Sequence, residues 1–441
     1  MFQTFKNAWK TPDLRRKLLF TMMIILLYRI GATLYVPYVD VQALSTNLQW
    51  FGSESIFAFV SLISGDAFSK ATLFALSVSP YITASIVMQL LTIALPPLEK
   101  LSKQGEEGRK KITAYTRWVT VGLALITAYG YVKLLESYGL LTISKTVDKA
   151  QYYFGIVVMV ACFCAGAAII MWLAEQINDH GIGNGISMIL FANILSSCNA
   201  MVQSMITMVT SKEGGMIAVG VLEVILSLAL TLGAIILIVW FTNSERRIPI
   251  QYAKRVVGRK MYGGQSSNLP LKMNMAGVMP VIFASSIVSI PATIAGFFPS
   301  SGFAKWVTKW FSYTSPSYIV LFIILIFLFS YFYIMISFNP VEVANNIRSN
   351  GGSVPGIRPG KPTSDYIKKI LNRITTLGAV FLVVIAGVPM IISAVCAAFE
   401  VDFTSIAFTG TSLLIVVGVA LETVRDLEAQ LAMRNYKGFL D

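Results

Sequence analysis

The sequence predicts an all-α, polytopic membrane protein, and three observations lead to that prediction. Hydrophobic residues make up 55% of the 441 residues, and the mean hydropathy is +0.69. Charged residues make up only 13%, whereas a soluble domain carries about 25%. Apolar runs of about 20 residues recur along the chain, and a helix of that length crosses the hydrocarbon core of a bilayer.

These runs predict ten full spans. Their limits are 18–36, 71–95, 116–136, 152–175, 184–205, 216–241, 273–297, 316–338, 373–393 and 405–424. The first run follows Arg15-Arg16-Lys17 and has no small-residue cleavage site before Pro37, so we expect a retained span and no cleavable signal peptide. The four cysteines are interpreted as small apolar residues, with no metal site or disulfide framework.

The basic residues predict the orientation of the chain. Most of the 35 Lys and Arg residues fall at the two termini and in the loops 96–117, 242–272 and 339–373. An even number of spans places all of these segments on one side, which the positive-inside rule identifies as cytoplasmic.

Two of these loops, 242–272 and 339–373, carry much of the net charge of +13. The second contains NGGSVPGIRPGKP at 350–362, where Gly and Pro predict a structured turn with Arg358 projecting from it. The charge has two interpretations. It is either a positive-inside bias alone or a docking surface for an acidic partner, such as nucleic acid or an acidic protein face.

A short apolar segment at 56–64 precedes the second span and is interrupted by Gly65-Asp66. It is too short to cross a bilayer, and the predicted orientation makes it enter from the outer face. Its free helix ends could not face lipid, so we expect it to be buried inside protein.

Catalytic chemistry is not apparent in the sequence. Its one histidine, His180, is predicted in a loop, and H-E-x-x-H, G-x-S-x-G and Walker patterns do not occur. GIGNG at 181–185 predicts a helix start, not a phosphate site.

Arg29, Glu175 and Glu223 are the main ionisable residues in the spans, and we expect each to reach a membrane interface. A secondary transporter for a small solute remains an alternative, although ion coupling usually needs more buried charge.

Five motifs carry a resemblance to a known family. They are PYITASIVMQLLT (80–92), GIGNGIS (181–187), NMAGVMPVIFASS (274–286), PGIRPGK (355–361) and GTSLLIVV (410–417). In these motifs, and over essentially the whole chain, the sequence resembles the SecY family, the channel-forming subunits of the bacterial Sec protein translocon. The resemblance implies two inverted five-helix halves, 1–205 and 206–441, with a pore between them and a lateral opening towards lipid. The repeat itself is not visible in the residues.

The resemblance also implies functional residues. The pore ring falls on Val78, Ile82, Ile86, Ile186, Leu190, Ile282 and Ile415. A re-entrant plug helix at about 56–68 includes Phe57, Phe59, Leu62, Ile63, Gly65 and Phe68. A polar cluster at the lateral gate consists of Gln89, Thr116 and Asn274, and the docking positions are Arg259 and Arg358. Without the resemblance, the ring residues are ordinary core residues, the plug is a re-entrant packing element and the polar residues join neighbouring helices.

The function implied by the resemblance is a passive, gated conduit for unfolded polypeptides in the bacterial inner membrane, not an enzyme. The implied protein partners are SecE, SecG, the SecA motor ATPase, the ribosome and the accessory SecD, SecF and YidC. Unfolded preproteins and nascent membrane proteins are the implied substrates, and apolar segments leave sideways into the lipid bilayer. No cofactor or metal is expected.

Overall fold

The structure is a computed structural model that is mainly helical. It describes residues 2–40, 43–44, 64–143, 149–210, 217–252, 255–257, 260–262, 266–297, 301–311, 315–398 and 410–437. Helices α1 to α7 are Phe2–Lys10, Pro12–Gly31, Ser79–Ala94, Pro96–Ser102, Glu106–Ser137, Lys149–His180 and Gly185–Thr210. Helices α8 to α14 are Ile217–Asn243, Met279–Phe297, Gly302–Trp310, Pro316–Ser337, Pro340–Ser349, Lys361–Ala398 and Gly410–Lys437.

A helix overlaps each predicted span, but fewer helices are long and apolar enough to cross a membrane. Within the described ranges there are five: Glu106–Ser137, Lys149–His180, Gly220–Asn243, Pro316–Ser349 and Lys361–Ile392. Helices α3 and α4 make a sixth if this pair, bent by 104°, is one span. Shorter apolar helices cover Gly185–Cys198 and Met279–Pro291. The count of ten spans therefore stays a prediction.

The structure is mainly helical as predicted, but the loops 242–272 and 339–373 also contain short strands that were not predicted. The strands are β1 (Glu245–Tyr252), β2 (Arg255–Val257), β3 (Lys260–Tyr262), β4 (Ser266–Lys272) and β5 (Gly352–Ser353). Strand β1 pairs antiparallel with β4 and with β5, and β2 pairs with β3. In β1, Ile248 and Ile250 are buried between exposed neighbours, which is the two-residue alternation of a half-buried strand.

Two predicted spans begin later than expected, because α3 starts at Ser79 and α9 at Met279. Pro80 and Pro280 lie in the first turns of these helices, where the N–H that proline lacks would have no helical partner. The segments ahead of them are turns. Residues with positive φ interrupt both segments: Gly65 (62°), Asp66 (67°), Ala71 (45°), Ser77 (50°) and Gly277 (62°).

The junction of α6 and α7 corrects one prediction and confirms another. His180 is the last residue of α6, not a loop residue, and its ring centroid is 5.8 Å from that of Phe20. The predicted helix start after GIGN is confirmed, since α7 begins at Gly185. The Asn184 side-chain oxygen accepts a hydrogen bond from the Ile186 backbone N–H at 3.1 Å, which satisfies one of the donors left unpaired in the first turn.

The long helices pack in two groups. Helix α6 contacts α2, α3, α5 and α7, whereas α11 contacts α9 and α13, and α14 contacts α13 and α8. The groups meet at two seams. At the first seam α9 lies against α3 and α5, and at the second α7 lies against α8 and α14.

Candidate functional site

The predicted pore residues share one hydrophobic cluster that includes helices from both groups. Val78, Ile82, Ile86, Leu190, Ile282 and Ile415 are buried in it, each between 1% and 6% exposed. Ile186 is partly buried and packs against the same cluster. The cluster thus joins α3 and α7 to α9 and α14, while the role of these residues as a pore ring stays a prediction.

The ring residues Ile82 and Ile282 occupy matching positions in the first turns of α3 and α9. Val78 precedes α3, and its carbonyl accepts a hydrogen bond from the Ile82 N–H at 3.0 Å. Val278 precedes α9, and its carbonyl accepts from the Ile282 N–H at 3.3 Å. Residues 78–82 (VSPYI) and 278–282 (VMPVI) therefore share the pattern V-x-P-x-I. This correspondence was readable in the sequence, but sequence reasoning missed it.

The segment 64–78 contains the end of the predicted plug. Phe57, Phe59, Leu62 and Ile63 lie outside the described residues, whereas Gly65 and Phe68 lie inside them. Phe68 is buried, and its ring centroid is 4.5 Å from that of Tyr131 on α5. The Tyr131 hydroxyl also donates a hydrogen bond to the Phe68 carbonyl. This end of the predicted plug is therefore fastened to α5.

Three further elements hold the segment 64–78. On the side of α2, the Leu73 N–H donates to the Leu34 carbonyl at 2.8 Å, and the Phe74 ring stacks on Tyr28 with centroids 5.3 Å apart. On α7, the Asn193 amide donates to the Ser77 hydroxyl at 3.2 Å. On α6, a side chain at Gly166 would overlap the Leu73 carbonyl oxygen.

Replacing Gly166 by alanine is expected to displace the segment 64–78, because the added Cβ meets a backbone carbonyl that cannot rotate away. We expect a loss of stability of about 1–3 kcal/mol, typical of overpacking, seen as a lower midpoint of thermal unfolding. The matched control is Gly122→Ala on α5, where an added Cβ meets no atom within 4 Å. That control gains up to about 1 kcal/mol from helix propensity. Equal stabilisation by both changes would show that the close contact does not hold the segment.

The predicted gate residues lie at or near the first seam. Thr116 is buried, and its hydroxyl donates to the Ile112 carbonyl at 2.9 Å within α5. The Gln89 amide donates to the Ser85 hydroxyl at 3.3 Å within α3. Asn274 lies in the turn before α9, whereas the predicted span 273–297 placed it at the start of the helix. These bonds stay within single helices, so a polar cluster of the three residues remains a prediction.

Two of the three charged residues expected in the spans, Arg29 and Glu175, contact protein groups. The Arg29 guanidinium was expected to extend towards the interface. Instead, it donates to the Ala192 carbonyl on α7. Arg117 Nε lies 2.8 Å from Glu175 Oε1, and the side chain of Glu223 lies outside the described residues. Within the described part of the chain, no group of three or more His, Cys, Asp or Glu residues could hold a metal ion.

The turn around Arg358 is built as predicted, with its side chain exposed. Strand β5 pins one arm of the turn to β1 through the pair Gln251–Ser353. The Thr363 hydroxyl donates to the Arg358 carbonyl at 2.9 Å on the other arm. Arg259, the second predicted docking residue, lies outside the described residues.

The start of the loop 242–272 is hydrogen-bonded to the last helix, α14. Arg425 Nη2 donates to the Thr242 carbonyl at 2.8 Å and to Asn243 Oδ1 at 2.9 Å. Burial and the positive charge of Arg425 lower the pKa of Lys272 at the end of β4. The strands of this loop therefore start from a fixed point beside α14.

Comparison with known proteins supplies a family. A profile of the SecY family matches residues 72–424. The chain is 45% identical over 446 residues to the protein translocase subunit SecY of Streptomyces coelicolor, and the alignment covers 100% of both chains.

Solved structures share the fold. One concerns the plug domain of the SecY protein, said to stabilise the closed state of the translocation channel. It superposes with a TM-score of 0.61 at 19% identity and covers 94% of this chain and 92% of that one. Sec61 in a canine ribosome–channel complex superposes with a TM-score of 0.60 at 18% identity, with the same coverage.

Proposed function

The chain belongs to the SecY family, and from that premise we propose that an apolar ring and a plug close its pore, which opens sideways at the seam between α9 and the pair α3 and α5. The chain is a channel subunit of a protein translocase and is not itself an enzyme. The observation that carries the proposal is that six of the seven ring residues are buried in one cluster of helices from both groups, and that the seventh, Ile186, packs against it.

An apolar ring suits a conduit for polypeptides of any sequence. A narrow apolar constriction excludes ions by dewetting while it is unoccupied. Aliphatic side chains such as Ile82 and Ile282 also form no hydrogen bonds with a moving chain. Charged side chains in the ring would hold oppositely charged segments and slow their passage.

The two helix groups support a division into inverted halves, 1–205 and 206–441, each with five spans and with cytoplasmic termini. An odd number of spans in each half gives the halves opposite orientations. The V-x-P-x-I pattern at residues 78–82 and 278–282 supports this division, because each copy lies at the start of the helix in the second predicted span of its half. Matching Pro-interrupted segments of this kind are typical of inverted repeats in membrane proteins.

Lateral release follows from the opposite preferences of substrate segments. A segment of about 20 apolar residues gains free energy in lipid, whereas a polar segment does not. Opening at α9 would expose a passing segment to lipid, and apolar segments would then leave the pore. The exposed turn around Arg358 and the strands around Arg259 would dock the SecA motor and the ribosome.

Family membership supplies the remaining partners and the location. SecE and SecG would complete the channel in the bacterial inner membrane, with SecD, SecF and YidC as accessory factors. These assignments rest on the family and not on contacts in this chain.

Asn274→Leu is expected to favour the open gate, because a polar group next to α9 is lost. A hydrogen bond between membrane helices is worth about 0.6 kcal/mol, so the open fraction should rise about threefold. The measurement is lateral release of a substrate segment of marginal hydrophobicity, scored by its accessibility from outside. Asn346→Leu on the exposed side of α12 is the matched control. Unchanged release and unchanged resting leak in Asn274→Leu would remove this residue from the gate.

The proposed function is tested by reconstitution of the full assembly in proteoliposomes with the motor ATPase and an unfolded preprotein. We expect ATP-dependent protection of the preprotein from external protease. Saturable flux of one small solute without preprotein protection would instead support the secondary-transporter alternative.

A further inference from the structure

Helix α10 is fastened to the far end of the gate helix α9. Helix α9 has 19 residues and a length of about 28 Å, so α10 and strand β4 lie at opposite ends of it. Ser301 caps α10 by accepting a hydrogen bond from the Ala304 N–H at 3.2 Å. Ala304 and Val307 are buried in a cluster with Ala295 of α9, and α10 also contacts α11.

A second face of α10 carries three large aromatic side chains. Phe303, Trp306 and Trp310 recur every three or four residues, which places them in one stripe along the helix. They are 45%, 52% and 49% exposed. The Phe303 and Trp306 ring centroids are 6.3 Å apart. Trp side chains are enriched at the level of the lipid headgroups, where the ring is apolar and its N–H is hydrated.

The third face of α10 is basic. Lys305 and Lys309 are one turn apart and exposed. No acidic residue occurs in the sequence between Glu245 and Glu342, so the residues that flank α10 along the chain add only positive side-chain charge. A buried face, an aromatic stripe and an adjacent basic face together are the pattern of a helix that lies in a membrane interface.

We propose that α10 binds anionic phospholipid headgroups through Lys305 and Lys309, with its aromatic stripe at the boundary between headgroups and acyl chains. The binding follows from the three faces of α10. Its consequence for the gate rests on the proposed lateral opening: lipid bound to α10 would hold the end of α9 at a fixed membrane depth.

The test is fluorescence quenching by brominated lipid. The variant retains Trp306 and Trp310 and replaces the other five tryptophans, Trp9, Trp50, Trp118, Trp172 and Trp240, by phenylalanine. The full chain, in the assembly in which it purifies, is placed in vesicles with brominated phosphatidylglycerol or with brominated phosphatidylcholine. We expect both lipids to quench, with phosphatidylglycerol enriched about fivefold near α10 by each lysine.

Two controls isolate the lysines. Lys305→Gln with Lys309→Gln should make the two lipids quench equally without reducing quenching by phosphatidylcholine. A variant that retains only Trp172, exposed on α6 with no Lys or Arg within four residues along the chain, should show no headgroup preference. If the five replacements prevent insertion, the quenching difference between the unaltered chain and Trp306→Phe/Trp310→Phe gives the same signal.

Two results would overturn the proposal. Equal quenching by both lipids with the lysines intact would show that α10 does not select anionic headgroups. No quenching by either lipid would show that the stripe lies in water or is covered by another protein.

Discussion

Deleting residues 57–63 is expected to turn a channel that is silent at rest into one that leaks ions. These residues form most of the predicted plug, whereas the segment 64–78 behind them is held by α2, α5, α6 and α7. The deletion therefore removes residues 57–63 of the predicted plug and leaves the attached residues 64–68 in place. We expect resting conductance to rise at least about tenfold, which corresponds to about 1.4 kcal/mol of lost preference for the closed state.

Single-channel recording in planar bilayers measures this effect. The matched control deletes residues 45–51, which shortens the same connection by the same length and spares the predicted plug. A silent control beside a leaky 57–63 deletion would assign the seal to the plug. Silence in both would show that the apolar ring alone closes the pore, and equal leak in both would point to the length of the connection.

Reversing the charge of Arg358 is expected to abolish motor-driven export while the protein remains inserted. Arg358 is exposed on a turn held by β5 and by the Thr363 hydroxyl, so Arg358→Glu changes the surface and not the packing. Loss of one partner in a close charge pair at an interface costs about 2 kcal/mol or more, which is about 30-fold or more in binding. ATP-dependent translocation into vesicles measures the loss.

Lys368→Glu on α13 is the control for Arg358→Glu, because it makes the same charge change at an exposed position nearby in sequence. If the basic loops act only through positive-inside bias, the two variants should behave alike. If Arg358 docks the motor, only Arg358→Glu should lose export, and raising the salt concentration should weaken the docking of the unaltered chain. Normal export in Arg358→Glu would reject the docking assignment.

Sequence reasoning succeeded where the determinants are local. The helix start at Gly185 and the turn at 350–362 depend on Gly, Pro and Asn in short motifs. One local signal was misjudged. Pro80 indicates the first turn of a helix, but the apolar run that begins at Ala71 led to a predicted start at residue 71 instead of Ser79. The strands of the loop 242–272 were not predicted. The basic residues of this loop were interpreted as a docking surface or a positive-inside bias, and the alternation of Ile248 and Ile250 with less apolar neighbours, which indicates a strand, was overlooked.

Contacts between distant residues could not be predicted in the same way. Arg29 donates to a carbonyl 163 residues later in the chain, and the choice between a protein acceptor and the interface depends on how α2 and α7 pack. The bend between α3 and α4, by contrast, has a local cause, because Pro96 disfavours a helical conformation at Leu95. The apolar composition of the ring residues predicted their burial, but not which helices bring them together.

The attachment of the segment 64–78 also sets an order of assembly during synthesis. Its partners Tyr131, Gly166 and Asn193 follow it in the chain, so the segment cannot reach its final place until Asn193 on α7 has been made. At roughly 5–20 residues per second, the ribosome takes roughly 6–23 s to add the residues from 79 to 193. During that interval the apolar stretch from Ala71 to Leu76 has no finished site, and a nascent-chain partner or the surrounding lipid must shield it.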